Sequence, residues 1–291
     1  MINIVYHNKD LDGFVSGALA LGHYKTYEKV NMVGWNYGDP IPELKGRIVM
    51  TDISFPPEDM LRLKDNIILW IDHHQSAIED SKDFQYDHLE GIRREGDSAT
   101  RLMHEYLYPE DDQVLLIELV DRYDVFKQED FEMQGVTFSW EDILKFQYGL
   151  RALIKDPTED DGKSADLAFD TLHETDCEYH ASYIIGSAIL EENRKQNKKR
   201  GENLYVENYS VFGNTFKIGV VWGDRPDIEV LDYCEDKEVE AVEFKTLGKD
   251  GMVTVSLRKK KDSKADILAL AKSYGGGGHP CACGYRYSTM A

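Results

Sequence analysis

The chain has 291 residues, with 54 acidic against 34 basic side chains, a formal net charge of -20 and a pI near 4.8. Duplex nucleic acid and anionic membranes are polyanions that need a basic face, so neither is expected as a partner. The composition, 42% hydrophobic, also excludes a disordered acidic segment.

Ile2 to Tyr6 reads as a buried strand, Gly13 to Tyr24 as a helix with small residues on one face, and Val30 to Trp35 as the next strand. Ile48 to Met50 and Ile67 to Ile71 are two more strands, and Pro56-Pro57-Glu58-Asp59 opens a helix between them. Strands alternating with helices predict an α/β fold whose mostly parallel sheet is covered on both faces. Ligands in such sheets sit at the carboxyl ends of the strands. From Ser98 to Leu190 the pattern is mainly helical, with polar interruptions at Lys127 to Thr137 and Asp156 to Lys163. Glu191 to Lys199, with Arg200 and Gly201, reads as the end of a long linker helix. Beyond it, Thr215 to Trp222, Glu238 to Leu247 and Met252 to Leu257 read as strands, and Asp227 to Cys234 and Ala265 to Tyr274 as helices. Together they form a smaller α/β domain. The expected division is 1–195, including a helical segment 127–195, then a linker 196–204 and a second domain 205–291. No run of about 18 apolar residues occurs, and the first strand leads straight into polar residues, so a soluble, unexported, cytoplasmic protein is expected. Four cysteines, Cys177, Cys234, Cys281 and Cys283, fit a reducing compartment better than a disulfide framework.

The residues that carry chemistry stand where strands end. The first strand runs into His7-Asn8-Lys9-Asp10-Leu11-Asp12-Gly13, the strand at Ile48 into Thr51-Asp52, and the strand at Ile67 into Asp72-His73-His74. An isolated Asp-x-Asp-Gly is more often a turn, and a lone His pair is as often structural as ligating. Three neighbouring strands each delivering Asp or His to one sheet edge point instead to a metal site. Burying that many ionisable groups without a cation is costly. Carboxylate oxygen with imidazole nitrogen and no thiolate suits Mn²⁺ or Mg²⁺, with Fe²⁺, Co²⁺ or Zn²⁺ as further options.

These three motifs, in this order, resemble those of the DHH phosphoesterase superfamily, named for its Asp-His-His triplet. Val255-Ser256-Leu257-Arg258, Ala265-Asp266-Ile267-Leu268-Ala269, Gly275-Gly276-Gly277-Gly278-His279 and Ala282-Cys283-Gly284 resemble the DHH-associated substrate-binding domain. The resemblance covers about 1–125 and 205–288 and is oligoribonuclease-like; the middle, with Trp140, Tyr148 and Arg151, is not matched. It implies two Mn²⁺ ions (or Mg²⁺ or Co²⁺) held by His7, Asp10, Asp12, Asp52 and His73, with Asp52 bridging, and a late Asp completing the set. Asp121 is favoured for that place over Asp124. His74 would touch the scissile phosphate and Asp72 would hold the His pair. Arg258, Gly276, Gly277, Gly278 and His279 would bind substrate; taken alone, the glycine run could equally be a flexible loop. Ser98 reads as a plain N-cap.

The implied activity is hydrolysis of short oligonucleotides or nucleotide phosphate esters by an activated water. Cyclic or linear dinucleotides and single-stranded DNA remain alternative substrates, although the acidic composition disfavours long strands. A non-catalytic nucleotide sensor is the alternative of another class. The sequence leaves a homodimer open.

Overall fold

The structure, a computed structural model, describes residues 1–81, 89–110, 114–172, 180–211, 213–224, 226–234 and 237–288. Cys177 and part of the expected helical segment lie outside the described residues. The chain divides into two compact units, Met1–Leu190 and Glu191–Ala291.

In the first unit, β1 (Ile2–His7), β2 (Val30–Trp35), β3 (Arg47–Thr51) and β4 (Ile67–Ile71) form one sheet in the order β2-β1-β3-β4, and every pairing is parallel. This is the α/β arrangement that the alternation of strand and helix patterns predicts. The centre of the sheet reads as continuous apolar runs because it is covered on both faces. Ile4, Val49, Leu69 and Ile71 belong to one core cluster, and Val5, Ile48, Met50 and Trp70 to another. Helix α1 (Leu11–Tyr24) returns the chain from β1 to β2, and α2 (Pro57–Leu63) connects β3 to β4. The chain enters β2 on one side of β1 and β3 on the other, so the order reverses between β1 and β3. A crevice at the carboxyl ends of the strands opens at such a point.

Helices α3 (Gln75–Asp80), α4 (Ala99–Leu107) and α5 (Leu115–Asp124) follow. Where the sequence shows only a polar interruption, Lys127 to Thr137, the chain makes a hairpin of β5 (Phe131–Met133) and β6 (Val136–Phe138). Its turn is Gln134-Gly135, both at positive φ, and stacked Phe131 and Phe138 bury the hairpin against α5 and the next helix. The apolar alternation is too short to be seen among its polar neighbours. Helices α6 (Trp140–Leu153), α7 (Pro157–Asp160), α8 (Lys163–Thr171) and α9 (Ala181–Asn203) complete the helical part. The boundary between the units falls inside α9.

The second unit is a mixed six-stranded sheet, β11-β12-β10-β9-β8-β7, formed by β7 (Tyr205–Val211), β8 (Asn214–Trp222), β9 (Ala241–Leu247), β10 (Met252–Arg258), β11 (Gly277–His279) and β12 (Ala282–Ser288). Only β8 and β9 pair in parallel. Helix α10 (Ile267–Ser273) packs on one face, and a 3-10 turn at Ile228–Tyr233 packs on the other. No described helix is long and apolar enough to cross a membrane. Among the described residues, Cys234, Cys281 and Cys283 are unbridged.

Helices α6 and α9 cross at two glycines. A Cβ on Gly149 would lie 1.7 Å from the Ser182 carbonyl oxygen, and one on Gly186 would lie 1.6 Å from that of Lys145. The backbones touch there, so no side chain can be accommodated without separating the helices. Gly149→Ala should therefore cost at least about 1–3 kcal/mol, read as a lower midpoint in urea denaturation. Gly22→Ala, where an added Cβ meets nothing within 4 Å, should not lower it.

Candidate metal centre

Apart from the late aspartates on α5, each candidate ligand stands at or just beyond the end of a strand. After β1 the chain turns abruptly into α1, whose N-cap is Asp10: its Oδ1 accepts from Gly13 N–H at 3.0 Å. Its Oδ2 is 2.7 Å from His7 Nδ1. The turn closes only over glycine, because a Cβ at Gly13 would sit 2.0 Å from the His7 carbonyl oxygen. Asp12, in the first turn of α1, is buried; its two oxygens accept from the backbone N–H groups of Ala99 (2.8 Å) and Thr100 (2.7 Å) at the start of α4. Ser98 caps that helix through its hydroxyl, which accepts from Arg101 N–H.

Asp52 follows β3 at φ 60°, a left-handed conformation that Asp and Asn tolerate better than most residues. This places its carboxylate between two imidazoles. Oδ2 is 3.4 Å from His7 Nδ1, and Oδ1 is 3.2 Å from His73 Nε2. His73 Nε2 is also 3.5 Å from Asp12 Oδ2 and 3.4 Å from Asp124 Oδ2. Two groups of potential ligands result, His7-Asp10-Asp52 and Asp12-Asp52-His73, each with its ligating atoms within 4.8 Å of one another, and Asp52 is common to both.

Asp72, fully buried, organises the triplet after β4. Its Oδ1 accepts from the backbone N–H groups of His73 (2.8 Å) and His74 (3.0 Å) and faces His74 Nδ1 at 2.9 Å; Oδ2 accepts from Trp70 Nε1. Burial would raise its pKa, but His74 and the amides more than offset this and hold the carboxyl below its usual value.

The late aspartates part company here. Asp121, the residue favoured from sequence, turns away from the cluster: it accepts from Ser98 N–H at 2.7 Å and pairs with Arg101 (2.8 Å) and Lys127 (2.7 Å). Asp124, one helical turn further along α5, reaches His73 instead. The sequence offers both acids at a helix end, and only the rotation of α5 on its apolar face separates them. Burial of Leu116, Leu119 and Val120 sets that rotation.

Two further residues meet the cluster from the end of β2. Asn36 Oδ1 is 3.2 Å from His7 Nε2, which directs the opposite ring nitrogen at Asp10 and Asp52. The Tyr37 ring lies 6.3 Å from that of His7 and 6.2 Å from that of His74. The signal for both is the one used for the other ligands: they follow Trp35 at the same end of a parallel strand.

The electrostatics match a cation site. Burial first, then the Asp12 and Asp10 charges, push the Asp52 carboxyl well above its ordinary range, and burial and Asp12 do the same to Asp124. Burial alone would lower the His7 pKa, but Asp10 and Asp52 outweigh it and hold the imidazole well above its usual value. His73 is raised against its burial by Asp124 and Asp12. His7 Nδ1 and Asp52 Oδ2 are buried atoms with no aligned hydrogen-bond partner among the described residues. Buried ligand atoms crowded among mutually repelling carboxylates fit a divalent ion. The donor set does not distinguish Mn²⁺ from its neighbours.

In the second unit, Arg258 ends β10 opposite Ala282, and His279 ends β11 opposite the same residue. The glycine run is not a slack loop. A Cβ at Gly276 would meet the Gly284 carbonyl oxygen at 2.0 Å, Gly278 lies at φ 128°, and Gly277 to His279 pair with β12. Cys283 is buried, which pushes its thiol up to about 12 and removes it as a thiolate ligand.

No family model matches the chain, and no curated protein does. Among solved structures, an uncharacterized protein from Helicobacter pylori G27 matches at 15% identity and a TM-score of 0.42, covering 100% of this chain and 94% of that one. The pGpG-specific phosphodiesterase PggH from Vibrio cholerae matches at 15% identity and a TM-score of 0.48, covering 99% and 94%. Similarity of this degree assigns neither chemistry nor substrate.

Loss even of a group that only supports a ligand costs about 10–100-fold in metal affinity, so Asp124→Asn should weaken Mn²⁺ binding at least about tenfold by calorimetry. Asp121→Ala should instead leave Mn²⁺ binding intact and cost about 1–3 kcal/mol of stability, because the buried Ser98 N–H loses its acceptor while Arg101 and Lys127 keep Glu118 and Asp97. Because the folded pKa values of Asp52, Asp124, His7 and His73 are all raised, their stabilisation is complete at low pH. For Asp52 and Asp124 it is lost as pH rises from about 4, and for His7 and His73 from about 6.5, through their raised folded values. The Tm of chelator-treated protein should fall over that range, and saturating Mn²⁺ should flatten the slope.

Proposed function

We propose that this chain is a divalent-metal-dependent phosphoesterase acting on short oligonucleotides or nucleotide phosphate esters. The observation that carries the reading is the position of Asp52, whose two oxygens face two separate His/Asp groups at the reversal point of a parallel sheet. His7, Asp10 and Asp52 would hold one ion, and Asp12, Asp52, His73 and Asp124 the other. Such a pair, when bound, polarises a phosphoryl oxygen and activates a water without a serine or cysteine nucleophile.

The chain's own groups do the positioning. Asn36 orients His7. Asp72 accepts from Nδ1 of His74 and so holds the ring for contact with the scissile phosphate through its other nitrogen. Arg258 offers bidentate contact to phosphate or base, and His279 with the amides of Gly276 to Gly278 offers donors to an anion. The acidic exterior, -20 in total, favours a short substrate over a long strand. Cyclic and linear dinucleotides fall within this class. The donor set favours turnover over nucleotide sensing, because sensing alone does not require two ion sites.

The test is hydrolysis in Mn²⁺ of 3'-phosphoadenosine 5'-phosphate, di- to pentaribonucleotides, a cyclic dinucleotide, a long DNA strand and pyrophosphate. Short nucleotides should be cleaved and chelator should stop the reaction. Asp52→Asn, which suits the left-handed backbone, should lower kcat at least about 10²–10³-fold with unchanged circular dichroism. Cleavage indifferent to chelator and to Asp52→Asn would sink the reading, and binding without cleavage would make the chain a sensor.

A further inference from the structure

Beside the metal centre, in the first unit, lies a cleft of about 220 Å³ lined by Lys9, Asp10, Leu11, Phe14, Arg151 and Ile154. It is smaller than the roughly 300–1,000 Å³ typical of sites for whole drug-sized ligands, and so suits one fragment of a substrate. Its walls come from three places. Lys9 and Asp10 belong to the loop after β1, Leu11 and Phe14 to the first turn of α1, and Arg151 and Ile154 to the C-terminal end of α6.

Two cations, Lys9 and Arg151, stand at this cleft. Most of the chain's arginines near acidic groups are consumed in pairs: Arg94 with Asp97 and Glu105, Arg101 with Glu118 and Asp121, Arg122 with Glu118. Lys9 and Arg151, by contrast, have no hydrogen bond or ion pair among the described residues, and both are exposed. Arg151 acts on Asp10 through space, favouring its charged form. In a protein with a net charge of -20, two cations at one cleft give an approaching anion a local attraction. Arg151 can meet a phosphate with two parallel N–H donors, Lys9 adds a mobile point charge, and the apolar flank of Leu11, Phe14 and Ile154 suits the sugar beside it.

We infer that Lys9 and Arg151 form a subsite for a second, non-scissile phosphate of the substrate, a terminal phosphate on a short nucleotide. The inference rests on the phosphoesterase reading and deepens it. The subsite would favour chain ends that carry a phosphate over those that end in a hydroxyl. Neither residue touches the reacting atoms; both act by holding one end of the substrate while Asp10, next to the cleft, belongs to the metal centre.

Binding on the full-length protein in Mn²⁺, with probes whose internucleotide linkage is a non-hydrolysable methylenephosphonate, separates this claim from turnover. The probes are diadenylate with a 5'-phosphate, with a 3'-phosphate, and with neither, titrated by calorimetry. One phosphorylated form should bind at least about tenfold more tightly than the unphosphorylated one, a difference worth 1.4 kcal/mol per factor of ten. Adding Lys9→Ala and Arg151→Ala should reduce that advantage to less than twofold, while Arg151→Lys with Lys9 intact should keep part of it. An advantage that survives the double substitution, or none at all in the parent protein, overturns the subsite and leaves the phosphoesterase reading standing. Failure of all three probes to bind overturns the nucleotide reading and the subsite with it. Unchanged thermal melts show that the variants fold, as expected for two exposed side chains.

Discussion

Four carboxylates, Asp10, Asp12, Asp52 and Asp124, converge on two imidazoles at the end of one sheet, and the rest of the first unit is arranged around that crowding. Two like charges about 4 Å apart repel by roughly 4 kcal/mol at an effective dielectric near 20. Several such contacts would consume the 5–15 kcal/mol by which a typical domain is stable. The charges must therefore be offset. Protons can do it, which is why Asp52 and Asp124 are held toward their neutral forms and His7 and His73 toward their charged ones. Divalent ions do it better, because they let every carboxylate ionise while making the strained concentration of charge useful. The site is then a store of electrostatic strain that the fold tolerates and a cation relieves.

The topology explains how the crowding arises. In the order β2-β1-β3-β4 all strands point one way, so the residue that follows each of them emerges at the same edge. Asn36, Asp52 and Asp72 are such residues, and His7 is the last residue of β1 at the same edge. The helices then close the site from the other side: α1 brings Asp12, and α5 brings Asp124. The amides of Ala99 and Thr100 at the head of α4 fix Asp12 in place, so this carboxylate stays put when nothing else holds it.

Much of this is legible in the sequence because the signals are local. An apolar run ending in Asp or His carries its own direction, and five candidate ligands, His7, Asp10, Asp12, Asp52 and His73, are brought together in the structure. Asp121 and Asp124 show where local signals stop. They sit three residues apart on one helix, and which one faces the site depends on how α5 packs, a tertiary fact. Asn36 and Tyr37 are missed for a different reason: their side chains support the site without having the chemistry of ligands. The hairpin β5-β6 is too short for alternation to stand out. The glycine run Gly275 to Gly278 reads in sequence as a substrate-binding stretch or, taken alone, a loop, and the structural need for glycine there becomes apparent only when β12 is seen lying against it.

The central claim is that Asp52 links two cation sites. It is tested most directly by anomalous diffraction from crystals of the protein grown in Mn²⁺. The account predicts two anomalous peaks roughly 3.5–4 Å apart, on either side of the Asp52 carboxylate, one beside His7 and Asp10 and the other beside Asp12, His73 and Asp124. A single peak away from Asp52, or no peak at saturating Mn²⁺, would contradict it.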